Sequence, residues 1–298
     1  MKYRRLGNSD MEISEVSFGC MSLEEDFEKT KELIHVAFDK GINYFDTADI
    51  YQNGNNEEML GKAVKSFRDK IIIGTKVGNQ PRDTGEGWDW NPSKKYIINS
   101  VEKSLTRLKT DYIDLYQLHG GTIDDPIEET IDAFETLKKE GKIRYYGISS
   151  IRPNVIREYV NQSNISSVMM QYSLLDRRPE EYCLELLSKN TIGVLTRGSI
   201  AKGLLAGKRA TEYLEYSSSD VDMVVEKLRE SSKEDRFMCQ MAIQFVLNHK
   251  AITSSVVGFR TKKQMEECIT ISEREVLSDK ELNSLKSVIS PLFYKNHI

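Results

Sequence analysis

Short apolar runs, many of them β-branched, recur along the chain. They alternate with longer stretches whose apolar positions fall three and four residues apart. The first kind of run reads as strand and the second as amphipathic helix. Eight strands are expected, the first four being EVSFGC (Glu15–Cys20), NYFDTA (Asn43–Ala48), IIIGTK (Ile71–Lys76) and YIDLYQLH (Tyr112–His119). The others are IRYYGIS (Ile143–Ser149), SSVMMQY (Ser166–Tyr172), TIGVLTR (Thr191–Arg197) and SSVVGF (Ser254–Phe259). Among the helices, Phe27, Ile34 and Phe38 share one face, with Gly41 placed to end the element. Ile97, Val101, Leu105 and Leu108 form a second stripe, and RFMCQMAIQFVLNH (Arg236–His249) a longer apolar-faced helix before the last strand. Ser278 followed by Glu281 is a capping box that opens a C-terminal helix.

Eight strands, each followed by a helix through right-handed crossovers, close most naturally into an α/β (β/α)₈ TIM barrel. An open doubly wound sheet would place G-x-G-x-x-G after its first strand; GCMSLEED stands there instead. Three segments depart from a bare repeat. Residues 3–14 read as a hairpin turning at Gly7–Asp10, able to plug the bottom of the barrel. The loop Gly78–Lys94 is long and carries both tryptophans. A polar insertion, partly helical, runs from Gly203 to about Asp235 after the seventh strand. No linker or change of composition divides the chain, so one domain spanning residues 1–298 is expected.

Composition narrows the function. Hydrophobic residues make up 39% and charged residues 30%, enough for a sizeable core beneath a solvated surface. The formal net charge is −4 with both signs interspersed, which argues against general nucleic-acid binding. Cys20, Cys183, Cys239 and Cys268 are scattered with no C-x-x-C pair, so neither a metal site nor a disulfide framework is expected. The N-terminus has no apolar signal core, and no 18-residue apolar run exists. A soluble, cytoplasmic protein with no membrane partner is the reading; no heptad seam or outward apolar stripe points to self-association.

The strand ends carry the chemistry. Asp46 and Tyr51 follow the second strand, Lys76 ends the third and His119 the fourth. Alone, a strand-end lysine snorkels and a lone histidine is structural more often than catalytic. Together they end three consecutive strands on the face where such barrels build their sites. A phenol near its reference pKa of about 10 is a poor proton donor or acceptor at neutral pH. A neighbouring ammonium lowers that pKa, and a carboxylate keeps the ammonium charged and in place. Asp46 is therefore expected to hold Lys76, Lys76 to tune Tyr51, and His119 to orient a carbonyl oxygen toward Tyr51. Reduction of that carbonyl needs a hydride from a cofactor.

Strands five to eight read as the cofactor's cradle. Ser149 and Ser150 offer hydrogen bonds to a carboxamide, and Gln171 is an isolated polar residue after SVMM. TRGSIAKGLLAGK carries Arg197, Gly198, Ser199, Ile200, Gly203 and Lys208, its glycines letting backbone N–H groups approach a pyrophosphate. It is not a Walker A loop, since Lys208 is followed by neither Ser nor Thr. GFRTKKQMEE turns into a helix start bearing Arg260, Lys262 and Lys263, suited to a phosphate monoester.

FDTADIY, GTK, DLYQLH and the series GIS, MQY, RGSIAKGLL, GFRTKKQMEE resemble the aldo-keto reductases in order and spacing over nearly the whole chain. The resemblance implies a (β/α)₈ barrel that reduces small aldehydes and ketones with NADPH, without a metal or a Rossmann domain. It implies Tyr51 as proton donor, Lys76 and Asp46 as its tuning pair, and His119 as substrate orienter. Ser149, Ser150 and Gln171 match the nicotinamide-amide positions; Gly258, Arg260, Gln264 and Glu267 match the stretch holding the adenosine end. Arg260 is the implied 2′-phosphate partner, so NADPH is expected over NADH. Arg197 stands where many members carry an aromatic residue that stacks on the nicotinamide. Ser150 and Cys268 replace commoner asparagines. Cys20-Met21 replaces a frequent aromatic, implying an open substrate pocket lined by Met21, Trp88 or Trp90. The alternative is an NADPH-binding redox sensor with little turnover. A Schiff-base aldolase acting through Lys76 is disfavoured, because Asp46 favours the charged amine.

Overall fold

Each apolar run becomes a parallel strand, and the strands close edge to edge into a barrel. The structure is a computed structural model that describes residues 1–82, 84–232, 236–273 and 275–298. Residue 83 of the expected loop Gly78–Lys94, and residues 233–235 at the end of the expected insertion, lie outside the described residues. The hairpin strands are β1 (Tyr3–Arg5) and β2 (Glu12–Ser14). The barrel strands are β3 (Val16–Gly19), β4 (Tyr44–Asp46), β5 (Ile72–Val77), β8 (Ile113–Leu118), β9 (Ile143–Ser149), β10 (Ser167–Gln171), β11 (Gly193–Arg197) and β12 (Ile252–Val257). Between β5 and β8, β6 (Asn79–Pro81) and β7 (Trp88–Trp90) pair as an antiparallel ribbon. Among the described residues the closed order is β3-β4-β5-β8-β9-β10-β11-β12, with β12 pairing back onto β3.

Side chains alternate between the lumen and the helical shell. Tyr44, Ile72, Leu115, Met169, Leu195 and Val256 pack together inside the barrel with Leu6, Met11 and Ile13 of the hairpin. The hairpin is thus the expected plug. Its turn residue Gly7 has φ +55°, and a Cβ there would lie 2.3 Å from the Ser166 carbonyl oxygen and 2.6 Å from the Gly193 nitrogen. Asn43 ties the plug to β4: its Oδ1 accepts from Ser14 N at 2.8 Å, and its Nδ2 donates to Glu12 O at 2.8 Å.

The pattern and the structure part company where polar groups are buried. β12 begins and ends two residues before the expected strand, so it adds Ile252 and Thr253 and leaves out Gly258 and Phe259. Within it the buried Ser254 and Ser255 hydroxyls have partners: Ser254 Oγ donates to Ser14 O at 2.7 Å and Ser255 Oγ to Ser199 Oγ at 2.8 Å. The helix expected over Arg236–His249 spans Met238–Leu247 and is buried all round from Cys239 to Leu247 rather than along one face. Gln240 and Gln244 are tolerated there because their amides donate to Thr270 Oγ1 at 2.7 Å and Glu275 O at 3.0 Å. The helix Phe27–Asp39 buries Thr30, Leu33, Ile34 and Ala37, and leaves Phe27 and Phe38 at the margin of the core. After β11, the insertion contains the helix Ser218–Ser231, opened by a Ser217–Asp220 capping box. The C-terminal helix Asp279–Lys286 carries the expected Ser278–Glu281 box.

The fit of the plug is testable. Gly7→Ala adds a Cβ at a left-handed φ and against two backbone atoms, so it should lower unfolding free energy by about 2–4 kcal/mol in urea denaturation. A loss under about 0.5 kcal/mol would show that the turn moves away from β10 and β11 without penalty.

Candidate active site

Strand parity decides what reaches the mouth of the barrel. On β4, Tyr44 and Asp46 share the lumen face; on β5, Gly74 and Lys76 do so. Asp46 pairs in register with Gly74, which sets Lys76 one step further out. The lysine reaches back, its Nζ donating to Asp46 Oδ2 at 2.5 Å and to the Thr47 carbonyl oxygen at 2.7 Å. Nζ also lies 5.2 Å from the centre of the Tyr51 ring. The Tyr51 and His119 rings meet edge to face with centroids 5.8 Å apart. The four expected side chains therefore lie together where β4, β5 and β8 end.

Their electrostatics follow from burial and pairing. Lys76 and Asp46 are only 1% and 5% exposed, so each depends on the other to remain charged. Burial pushes the Lys76 ammonium toward losing its proton, but Asp46 and Tyr51 outweigh it and hold the pKa above the usual lysine range. Burial also lifts the Asp46 carboxyl above the usual range, against the pull of Lys76 and Tyr44. For Tyr51 the outcome differs from the sequence expectation. Burial dominates and raises the phenol above its ordinary value, while Lys76 and Arg197 only moderate the rise. At neutral pH Tyr51 is thus a phenol with a proton to give. Burial, reinforced by Lys76 and Arg197, drives His119 down to about 3, so its imidazole is neutral. His119 Nδ1 has no hydrogen-bond partner among the described residues.

The turn after Tyr51 is unusual. Gln52 and Asn53 are left-handed at φ 50° and 54°, and Gly54 follows at φ 90°. Such residues persist only where surrounding contacts hold them. Gln52 Nε2 donates to Leu23 O at 2.8 Å, and buried Asn56 bridges Cys20 O at 2.9 Å and Thr47 Oγ1 at 2.7 Å. Below it, buried Glu57 accepts from Arg107 at 2.6 Å and from Thr75 at 2.5 Å. Asp49 lies beside this group, 9% exposed, with its Oδ1 unpaired among the described residues.

Across the mouth, Arg197 Nη1 donates to Gln171 Oε1 at 2.8 Å. Gln171 Nε2 donates to buried Asp176 at 2.9 Å and to the Tyr213 hydroxyl at 3.2 Å. A cavity of about 410 Å³ adjoins them, lined by Gln171, Lys202, Lys208, Arg209 and Tyr213 among others. Lys208 lies across Gly203, its Nζ donating to Lys202 O at 2.9 Å. Three cations around one concavity fit a phosphate-bearing ligand. Gly198, at φ 72°, packs on Gln171. Ser199 points inward instead, its hydroxyl between Thr196 and Ser255, and Ile200 is half-buried against the core. Ser149 and Ser150 end β9, where Ser150 Oγ accepts from Arg152 N at 3.2 Å. After β12, Gly258 packs on Ser22, and Arg260 is exposed with its backbone N donating to Gln264 Oε1 at 3.0 Å. Thr261 caps the helix Lys262–Ile269, along which Glu267 stands 3.9 Å from Lys263.

The three expected pocket residues separate. Trp90 is fixed over the turn that follows His119: its Nε1 donates to Asp125 at 2.9 Å, and its ring fills the space above Gly78 and Gly120. Met21 and Trp88 are 70% and 49% exposed, so neither is enclosed with it. Sequence reasoning missed Lys202, which stands inside the stretch read as a pyrophosphate cradle, and Arg209 and Tyr213, which stand in the polar insertion. It also passed over Tyr44, although the two-residue spacing to Asp46 was a usable signal. Among the described residues, no group of three or more His, Cys, Asp or Glu is placed to hold a metal ion, and no helix is long and apolar enough to cross a membrane.

Comparison with known proteins supplies the context. A profile of the Aldo/keto reductase family matches residues 15–290. The chain is 50% identical over 306 aligned positions to the uncharacterized oxidoreductase YqkF of Bacillus subtilis, covering 100% of this chain and 99% of that one. Among solved structures it is similar to the holo form of aldo-keto reductase AKR11C1 from Bacillus halodurans, with a TM-score of 0.94 and 48% identity over 100% and 99% of the two chains. The apo form of AKR11C1 gives a TM-score of 0.85 at 44% identity, with the same coverage.

Asp49 makes this region pH-sensitive. Burial first, then Glu57, lifts its carboxyl from 3.8 to about 8, against Arg107. Between those values the folded chain binds a proton that the unfolded chain has released, so stability falls as pH rises through the window. Urea denaturation should show a smaller loss between about pH 5 and pH 8 in Asp49→Asn than in the parent. An equal loss in both would assign the dependence to other groups.

Proposed function

The chain belongs to the aldo/keto reductase family, and from that premise we propose that it reduces a small aldehyde or ketone to the alcohol with NADPH. The observation that carries the reading is the Lys76–Asp46 contact of 2.5 Å beside a Tyr51 that keeps its proton. The substrate's carbonyl oxygen lies between Tyr51 and His119. His119, neutral, donates a hydrogen bond that orients and polarises it. NADPH, when bound, supplies the hydride. Tyr51 gives its proton to the oxygen as negative charge develops there, and Lys76 stabilises the phenolate left behind. Asp46 keeps Lys76 charged and aimed through this change.

Support for the cofactor reading comes from the opposite wall. Ser149, Ser150 and Gln171 offer polar groups for the nicotinamide amide, and Arg197 lies against Gln171. Lys202, Lys208 and Arg209 surround the cavity suited to a pyrophosphate. Arg260, with no ion pair among the described residues, is free to take a 2′-phosphate, with Gln264 and Glu267 on the helix beside it. Met21, Trp88 and Trp90 border the entry for substrate.

Tyr51→Phe removes the transferable proton and leaves the cofactor wall untouched. Turnover of small aldehydes should fall by about 10²–10⁴-fold, while NADPH binding, followed by tryptophan fluorescence, stays near that of the parent. Undiminished turnover in the variant would reject Tyr51 as donor. Tight NADPH binding with no turnover by the parent on any carbonyl would favour a sensor.

A further inference from the structure

The reductase reading leaves one feature of the lumen unused. Tyr44 is fully buried within the barrel, two residues before Asp46 on the same face. Its hydroxyl donates to Asp46 Oδ1 at 3.3 Å, while Lys76 holds Oδ2. Gln117 approaches Asp46 closely enough to help lower its carboxyl, but among the described residues only Tyr44 makes a side-chain hydrogen bond of normal geometry to Oδ1. Gln117, in register with Lys76 on β8, leaves both amide atoms unpaired. The phenol fits only because β5 carries glycine opposite: a Cβ on Gly74 would lie 2.0 Å from the Tyr44 oxygen.

We propose that Tyr44 is a positioning residue for the reaction: from inside the barrel its hydroxyl holds one oxygen of Asp46, so that the other is presented to Lys76, and Gly74 exists to admit it. The inference rests on the reductase reading for its catalytic meaning. The groups around Asp46 and Tyr44 are Lys76 and Tyr51, which belong to the tetrad, with Gln117 on β8 beside Asp46, Cys20 after β3 and Asp114 acting on Tyr44 from lower on β8. None of Cys20, Tyr44 or Asp114 brings positive charge. Burial and then Asp46 hold the Tyr44 phenol well above its usual range, so it acts as a fixed donor rather than a titrating group. Removing that donor leaves a buried carboxylate oxygen unpaired, which favours its protonated form.

The test is Tyr44→Phe, with Asp46 titration followed by NMR of isotope-labelled aspartate and assigned by the signal lost in Asp46→Asn. The Asp46 midpoint should rise by about 0.5–1 pH unit, the effect of one long hydrogen bond of ordinary net strength. The acid limb of kcat should rise with it. Gly74→Ala, which drives the ring off Asp46, should move the midpoint in the same direction. An unchanged midpoint in folded Tyr44→Phe overturns the proposal, as does a loss of thermal stability with no change in the titration. The titration needs neither substrate nor cofactor, so its result stands apart from the reductase reading, whose failure would appear as absence of turnover in the parent.

Discussion

A carboxylate and an ammonium group, both nearly sealed from solvent, face each other 2.5 Å apart at the mouth of the barrel. Neither is tolerable there alone: breaking such a pair leaves an uncompensated buried charge worth about 3–5 kcal/mol. Replacing both by apolar residues of similar size is often neutral or stabilising, so stability alone does not explain why the chain carries the pair. Its position beside the Tyr51 ring does. The pair sets a permanent positive charge next to a phenol in a region too dry to screen it, which is what a developing phenolate requires.

The barrel is built around that requirement. Closure brings the ends of β4, β5 and β8 side by side, so residues 30 and 29 positions from Lys76 in the chain become its hydrogen-bond partners. The hairpin plug and the lumen layer of Tyr44, Ile72 and Leu115 exclude water from below. The left-handed turn at Gln52 and Asn53, tied down by Asn56 and Glu57, sets the loop that carries Tyr51. On the far wall, the contact of Arg197 with Gln171 joins the electrostatics of Tyr51 and His119 to the wall proposed for the cofactor, since Arg197 pulls both groups downward.

Much of this was legible in the chain. Eight apolar runs gave eight barrel strands because parallel strands buried on both faces leave an unbroken hydrophobic trace. The expected eighth strand started two residues late because Ile252 and Thr253 were left to the preceding loop, and it ran on to Phe259 because Gly258 and Phe259 continue its apolar trace past the last paired residue, Val257. The four residues of the tetrad were recognisable from their strand-end positions. The balance acting on Tyr51 was not: a charge partner can be inferred from spacing, whereas the depth of burial that outweighs it depends on the closed structure. Arg209 and Tyr213 escaped for a similar reason, since this wall of the cavity comes from the start of an insertion where no apolar period marks the course of the chain.

The central claim is that Lys76 acts on the reaction through Tyr51. A double-mutant cycle on carbonyl turnover, using Tyr51→Phe, Lys76→Met and the pair, tests it most directly. Once the phenolic proton is gone, loss of the ammonium should have little further effect, so the double variant should turn over about as slowly as Tyr51→Phe alone. Fully additive losses would mean that Lys76 serves catalysis by a route that does not pass through the phenol, and would contradict the account.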